Sequence, residues 1–245
     1  MASDSIFVLP GDPIDPSAVP SHPTKALRLG PGLRHVPPRQ ILPTLAGQLL
    51  VDKHKNAMRV ETSRGRYIPR AGELVIGTIY KSVADAYQVL ISPYTAPVSL
   101  NHLSFEQATR KTRPVLLPGA LVYARVSVAH KHMDAEVECV SATTGKSDGL
   151  GPLTGGMLFD ISLGMARRLM VPKPAQHAKL VVLDEFAASG LQFDTATGRN
   201  GKFWVGSDST ATVIAVGRAV QDTDGKSLSI DAQRKLVRLL IKNTG

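Results

Sequence analysis

The segments Leu74-Val75-Ile76-Gly77-Thr78-Ile79-Tyr80, Tyr87-Gln88-Val89-Leu90-Ile91, Pro97 to Leu103, Leu121-Val122-Tyr123-Ala124-Arg125-Val126-Ser127-Val128 and Ala135-Glu136-Val137-Glu138-Cys139-Val140 decide the fold. Apolar and polar residues alternate along them with the period of a half-buried strand, and turn signals separate them. Short strands in this succession do not make a doubly wound sheet. Between the third and fourth, Phe105-Glu106-Gln107-Ala108-Thr109-Arg110 has the length of one or two helical turns, and Leu117-Pro118-Gly119 stops the chain before the next strand. This is the order of a five-stranded OB barrel, whose second and third strands form the usual oligonucleotide platform.

Outward from that barrel, the chain predicts a multidomain protein of β and α+β units. Residues 1–70 read as an N-terminal Pro/Gly-rich β domain without a helix. Its turn and extended pieces are Phe7 to Asp12, Gly30-Pro31-Gly32-Leu33-Arg34 and Pro37-Pro38, and a strand pair runs over Gly47 to His54 and Met58 to Tyr67. Residues 71–145 hold the OB-fold barrel, and the glycine-rich stretch from Gly145 to Gly156 reads as a linker. Residues 150–245 form a KH-like α+β domain. It opens with a strand at Met157–Leu163 and a short helix at Gly164–Met170. A second helix is expected over Ala175 to Ala188, followed by a hairpin. Val213, Ile214, Val216 and Val220 follow helical spacing, as do Leu236, Val237, Leu239 and Leu240 in a last helix that Ser229 or Asp231 can cap.

The 245 residues are 43% hydrophobic, enough for more than one small core, and carry a net charge of +9. That charge points toward a polyanionic partner, but its distribution matters more than its total. Residues 1–70 hold ten Lys/Arg against five Asp/Glu, residues 71–150 seven against seven, and residues 151–245 twelve against eight. The barrel is therefore neutral overall, with a local basic patch at Arg110, Lys111 and Arg113; this predicts modest, salt-sensitive phosphate contact. No run reaches the length of a membrane helix, so no membrane partner is expected. The first residues lack the pattern of a secretory signal. A single cysteine, Cys139, excludes an internal disulfide and fits a core position in a reducing compartment.

Arg110, Lys111 and Arg113 are candidate RNA-phosphate contacts, which position a strand without reading its sequence. Tyr80, Tyr87, His102 and Phe105 can offer stacking surfaces, and Tyr87 and His102 are the preferred candidates. Gly198-Arg199-Asn200-Gly201 has the spelling of a GxxG backbone clamp. Yet it lies between two strand-like segments, and Asn-Gly is a hairpin signal, so Gly198, Asn200 and Gly201 are expected in a structural turn of type I′. His130 and His132 share one face of a strand end, but nothing nearby in sequence completes a metal site. Arg167 and Arg168 read as helix C-terminal charges. The acidic residues are dispersed, without the paired carboxylates or His-centred acid–base pair that nucleic-acid hydrolysis requires. Neither a catalytic residue nor a cofactor is expected.

The barrel, the linker and the α+β unit together resemble the non-catalytic RNA-binding cap subunits of the eukaryotic RNA exosome, of the ribosomal-RNA-processing protein 40 or exosome component 3 family. The resemblance is carried by Leu9-Pro10-Gly11-Asp12, Gly30-Pro31-Gly32-Leu33-Arg34, Arg66-Tyr67-Ile68-Pro69, Leu103 to Arg110, Met157-Leu158-Phe159 with Leu163-Gly164, and Gly198 to Val205. It implies an N-terminal β domain, an S1-type OB barrel and a KH domain. It also implies a GxNG variant that serves domain packing. The implied partners are single-stranded RNA, a ring of ribonuclease PH-like subunits, other exosome cap subunits and, indirectly, a 3′-to-5′ exoribonuclease. Location in the nucleus and nucleolus, and in the cytoplasm, is implied as well. A free-standing OB/KH RNA-binding protein of translation or transcription is the alternative, against which the Pro-rich first third argues because such segments often dock onto partner surfaces.

Overall fold

The computed structural model describes residues 6–242 apart from 39, 54, 63–64, 131, 142 and 172–179. They divide into two compact units, Met1–Gly65 and Arg66–Gly245.

In the first unit β1 (Phe7–Val8), β5 (Gly47–Asp52), β6 (Ala57–Glu61) and β2 (Arg28–Leu29) form one sheet in that order. β3 (Leu33–Val36) and β4 (Gln40–Pro43) form a separate hairpin. Val8, Ile41, Leu49, Met58 and Val60 make its core. The Gly30-Pro31-Gly32 turn lies directly on β6, with Gly30 N–H donating to the Met58 carbonyl at 2.8 Å and Val60 N–H to that of Pro31 at 3.0 Å. The Leu9–Asp12 turn is closed by the Asp12 carboxylate, which accepts from Leu9 N–H at 2.8 Å.

The second unit begins with the barrel. β7 (Leu74–Ser82), β8 (Ala86–Leu90) and β9 (Val98–Asn101) pair antiparallel in succession. β11 (Glu136–Glu138) then pairs parallel to β9 and antiparallel to β10 (Leu121–Val128), which returns to β7 and closes the ring. Strand alternation fills the interior with Val75, Ile79, Val89, Ile91, Val98, Leu100, Val122, Val126 and Val137. Cys139 is also inside, where burial and then the Glu138 charge push its thiol up to about 12, so it packs and does not react.

Two sequence expectations change here. The stretch read as a linker contributes a strand, β12 (Gly151–Leu153), paired with Leu121–Tyr123 of β10. It is an edge strand, the one place in a sheet where Pro152, lacking an N–H, is tolerated. The Phe105–Arg110 segment is a succession of turns without helix. The cause is local. Thr109 and Thr112 bind each other through their hydroxyls at 2.9 Å, and each hydroxyl accepts from the other's backbone N–H, at 3.2 and 3.0 Å. These bonds offer the backbone an alternative to the helical ladder.

After the barrel, β13 (Met157–Asp160), β15 (Lys202–Gly206) and β14 (Asp194–Gly198) form an antiparallel sheet with β15 central. It carries α1 (Leu163–Leu169), α2 (Val182–Ala188), α3 (Thr210–Lys226) and α4 (Ile230–Lys242). The second helix is shorter than expected: it starts at Val182, and 175–179 of the expected range lie outside the described residues. Side-chain oxygens of Ser162 and Ser209 cap α1 and α3. Ser229 Oγ accepts from Ala232 N–H at 3.4 Å, so Ser229 and not Asp231 caps α4. Phe203 and Val205 face the helices with Phe186, Val216 and Val237. Trp204, pointing the other way, packs with Ile76, Ala196 and Tyr123 between the sheet and the barrel.

Candidate nucleic-acid interface

The loop joining β9 to β10 is anchored at its start by Phe105, whose ring is in the barrel core. Its Glu106 carboxylate accepts from Ser147 N–H at 2.9 Å, and hydrogen bonding from the Ser147 side chain, then from this N–H, holds the carboxyl below its ordinary value. The Thr109–Thr112 turn then lifts Arg110 and Lys111 into solvent, where among the described residues neither has an ion-pair partner. Arg113 is exposed too, but its guanidinium donates to His102 Nδ1 at 2.6 Å.

Tyr87 and His102 are not stacking surfaces in this structure. Both are 4% exposed, with ring centroids 4.3 Å apart in an edge arrangement. Tyr87 OH donates to the Pro114 carbonyl at 2.8 Å and accepts from Leu116 N–H at 3.3 Å, so it fastens the basic loop to β8. His102 Nε2 is 3.3 Å from Ser82 Oγ. Burial, then the Arg113 charge, lowers its pKa below 6.5, with Asp85 opposing. Phe105, also considered for stacking, is buried as well.

The exposed aromatic on this strand array is Tyr80. It is 54% exposed at the bulge between Ile79 and Lys81, and Lys81 Nζ is 5.8 Å from its ring centroid. Across the outer face, β8 and β9 present Gln88 opposite Ser99 and Ala86 opposite Asn101. Strand parity carried this signal: Tyr87 is in phase with core residues Val89 and Ile91, whereas Tyr80 is out of phase with Val75 and Ile79. The barrel thus carries both cations unpaired among the described residues and an exposed aromatic, the two elements of sequence-tolerant single-strand binding.

Gly198, Asn200 and Gly201 are brought together elsewhere, in the hairpin between β14 and β15. Arg199, Asn200 and Gly201 form its loop, Gly201 N–H donates to the Gly198 carbonyl at 3.1 Å, and Gly201 has φ +77°. Asn200 does not have positive φ, so the expected type I′ turn is replaced by a three-residue loop with glycine in the left-handed position. This frees the Asn200 amide to reach the barrel. It accepts from Ile76 N–H at 3.3 Å and donates to the Ile76 and Ile91 carbonyls at 2.8 and 2.7 Å. A Cβ on Gly198 would come within 2.7 Å of Ile76 N, which excludes a side chain from this junction. Arg199 N–H donates to the Leu74 carbonyl at 2.7 Å, and its guanidinium is 3.5 Å from Glu73. The tetrapeptide is spent on holding the two domains together.

His130 and His132 are exposed beyond the end of β10, and among the described residues no group of three or more His, Cys, Asp or Glu could hold a metal ion. Arg167 and Arg168 occupy the last turn of α1, Arg168 lying 4.0 Å from Asp224.

Comparison with known proteins places these observations in a family. Residues 67–151 match the model described as the S1 domain of exosome complex component RRP40, and residues 156–211 match a KH domain. Residues 27–66 match the model described as the N-terminal domain of exosome complex exonuclease Rrp40. The chain is 36% identical to the exosome complex component RRP40 of Saccharomyces cerevisiae over 223 residues, covering 89% of this chain and 88% of that protein. It is 37% identical to that of Schizosaccharomyces pombe over 241 residues, covering 96% and 95%. The Drosophila melanogaster protein of the same name is 34% identical over 221 residues, covering 90% of each. A crystal structure of a candidate exosome complex RNA-binding protein shares the fold, with a TM-score of 0.56 at 20% identity over 73% of this chain and 97% of that one. On these matches the chain belongs to the Rrp40 family of exosome complex components, built from an N-terminal domain, an S1 barrel and a KH domain, and it is not an enzyme.

Proposed function

We propose that this protein binds single-stranded RNA as a cap subunit of an exosome, contacting ribonuclease PH-like ring subunits and other cap subunits. In this reading it guides RNA into the channel toward a 3′-to-5′ exoribonuclease, in the nucleus, the nucleolus and the cytoplasm. The observation that carries it is the Arg110–Arg113 loop. Two of its cations lack partners among the described residues, and the loop is fastened to the barrel by the buried Tyr87 hydroxyl. A loop already fastened to the barrel loses less freedom when its cations meet a phosphate. Tyr80, with Lys81 beside it, supplies a base-stacking surface on the same barrel. Lys and Arg contacts give grip without sequence choice, as a general RNA-degrading assembly requires.

The test is photocrosslinking of single-stranded RNA to this subunit in the assembled complex, wild type against Arg110→Glu/Lys111→Glu, the two cations without partners among the described residues. The reading expects crosslinks to fall while assembly and melting temperature hold, since exposed charges contribute little to stability. Unchanged crosslinking would return the loop to an ordinary solvated surface.

A further inference from the structure

We propose that His102 is a positioning residue for RNA contact: its neutral imidazole holds the Arg113 guanidinium at the barrel rim, oriented toward a backbone phosphate of single-stranded RNA. The proposal rests on the reading of the Arg110–Arg113 loop as a phosphate contact.

Hydrogen-bond chemistry fixes the tautomer. An arginine has only donors, so Nδ1, 2.6 Å from Arg113 NH1, must offer its lone pair. The proton of the neutral ring is then on Nε2, which donates to Ser82 Oγ at 3.3 Å. The ring cannot turn away, because it is buried against the edge of Tyr87, whose own hydroxyl holds Pro114 and Leu116. The loop is thus tied at successive points, through the Arg113 side chain and through the backbone on either side of Val115.

Core satisfaction alone does not account for this pair. Filling one imidazole lone pair needs only a hydroxyl or a backbone N–H, whereas immobilising an arginine costs about 2 kcal/mol of rotamer entropy. Among the described residues no carboxylate pairs with Arg113 to offset that cost. What the bond achieves is a fixed, fully charged guanidinium on an exposed residue, with N–H groups left over for a phosphate. Preorganisation of that kind acts on binding.

The groups facing the ring are Arg113 from the loop, Asp85 from the β7–β8 turn, Ser82 from β7, and Tyr87 and the Ala86 backbone from β8. Protonation would set an N–H and a second positive charge against Arg113, and the guanidinium would be expelled. Because the folded-state pKa lies below 6.5, the pair is intact above that value and is lost as pH falls through the folded pKa.

The experiment measures binding of the full chain to a labelled single-stranded oligouridylate at low salt, from about pH 7.5 to about pH 5. Arg113→Ala and His102→Ala should each weaken binding about two- to tenfold at the upper pH, the range set by immobilising one long side chain. The double variant should be no weaker than either single one. His102→Asn, whose amide oxygen can accept the same N–H without titrating, should restore binding to within about twofold and abolish the acid loss specific to the wild type. If Arg113→Ala binds like wild type, the phosphate-contact reading of this arginine falls, and the positioning role with it. If only His102→Ala binds like wild type, or the two losses add, the positioning role falls and the loop reading stands. Should His102→Ala fail to fold, His102→Asn carries the test: a folded but weakly binding, pH-independent His102→Asn protein would overturn the proposal.

Discussion

At the scale of single residues, the hairpin at Gly198–Gly201 was legible but its purpose was only half so. Asn-Gly between two strand-like segments predicts a turn, and the turn is there. The expectation that Asn200 would take positive φ failed because its side chain has a better use, three hydrogen bonds to buried backbone of Ile76 in β7 and of Ile91 just after β8. A sequence shows which conformations a residue tolerates, not which distant carbonyls will come within reach. Gly201 remains the strained position. Its φ of +77° and a Cβ that would come 2.7 Å from the Ile161 carbonyl both exclude a side chain. Gly201→Val should therefore lose about 1–2 kcal/mol or more, seen as a lower melting temperature. A variant melting like wild type would remove the left-handed turn assignment.

Among elements, the barrel strands were legible because period-two alternation is dictated by the pleat itself. The loop after β9 was not, because its threonines satisfy each other in place of a helical ladder. The edge strand β12 was hidden by its own composition of glycine and proline. The stacking surface is hidden for a related reason. Aromatic identity does not reveal which face a residue takes, whereas parity does: Tyr87 falls in phase with the core and Tyr80 does not. Tyr80→Ala should weaken oligouridylate binding by about 1–3 kcal/mol, the worth of one stacked base, and leave the melting point nearly unchanged, since over half of the side chain is in solvent. Arg110→Ala with Lys111→Ala should weaken binding differently, flattening the plot of log affinity against log salt by about 1.4 if both meet phosphates of a single strand. Titrations at several salt concentrations separate the two effects. An unchanged slope would show that neither cation displaces counterions.

For the whole molecule, the S1 and KH domains are continuous in a way that their separate family matches do not suggest. The Asn200 amide bridges Ile76 of β7 and Ile91 just after β8, Tyr123 OH donates to the Thr197 carbonyl at 3.2 Å, and Trp204 closes an apolar layer over Ile76. Glu73 is shared between Tyr67 OH at 2.7 Å and the Arg199 guanidinium. Domains joined by a thin polar interface usually move independently. Here the interface consists of buried backbone bonds whose loss leaves orphaned donors and acceptors, at about 1–3 kcal/mol for each group left unsatisfied. Arg66–Gly245 should therefore unfold as one cooperative unit. Asn200→Ala should loosen that unit, because the barrel and the KH sheet keep their own cores while the three amide bonds buried between them disappear. The measurement is denaturant unfolding of the 66–245 fragment followed by two probes: the single Trp204 fluorescence for the junction and far-ultraviolet circular dichroism, dominated by α3 and α4, for the KH helices. Wild-type curves should coincide, whereas in Asn200→Ala the tryptophan transition should come first. Coincident curves in the variant would mean that the Trp204 packing and the Arg199 and Tyr123 bonds suffice to couple the domains, and the Asn200 amide would then be a local bond with no part in joining them.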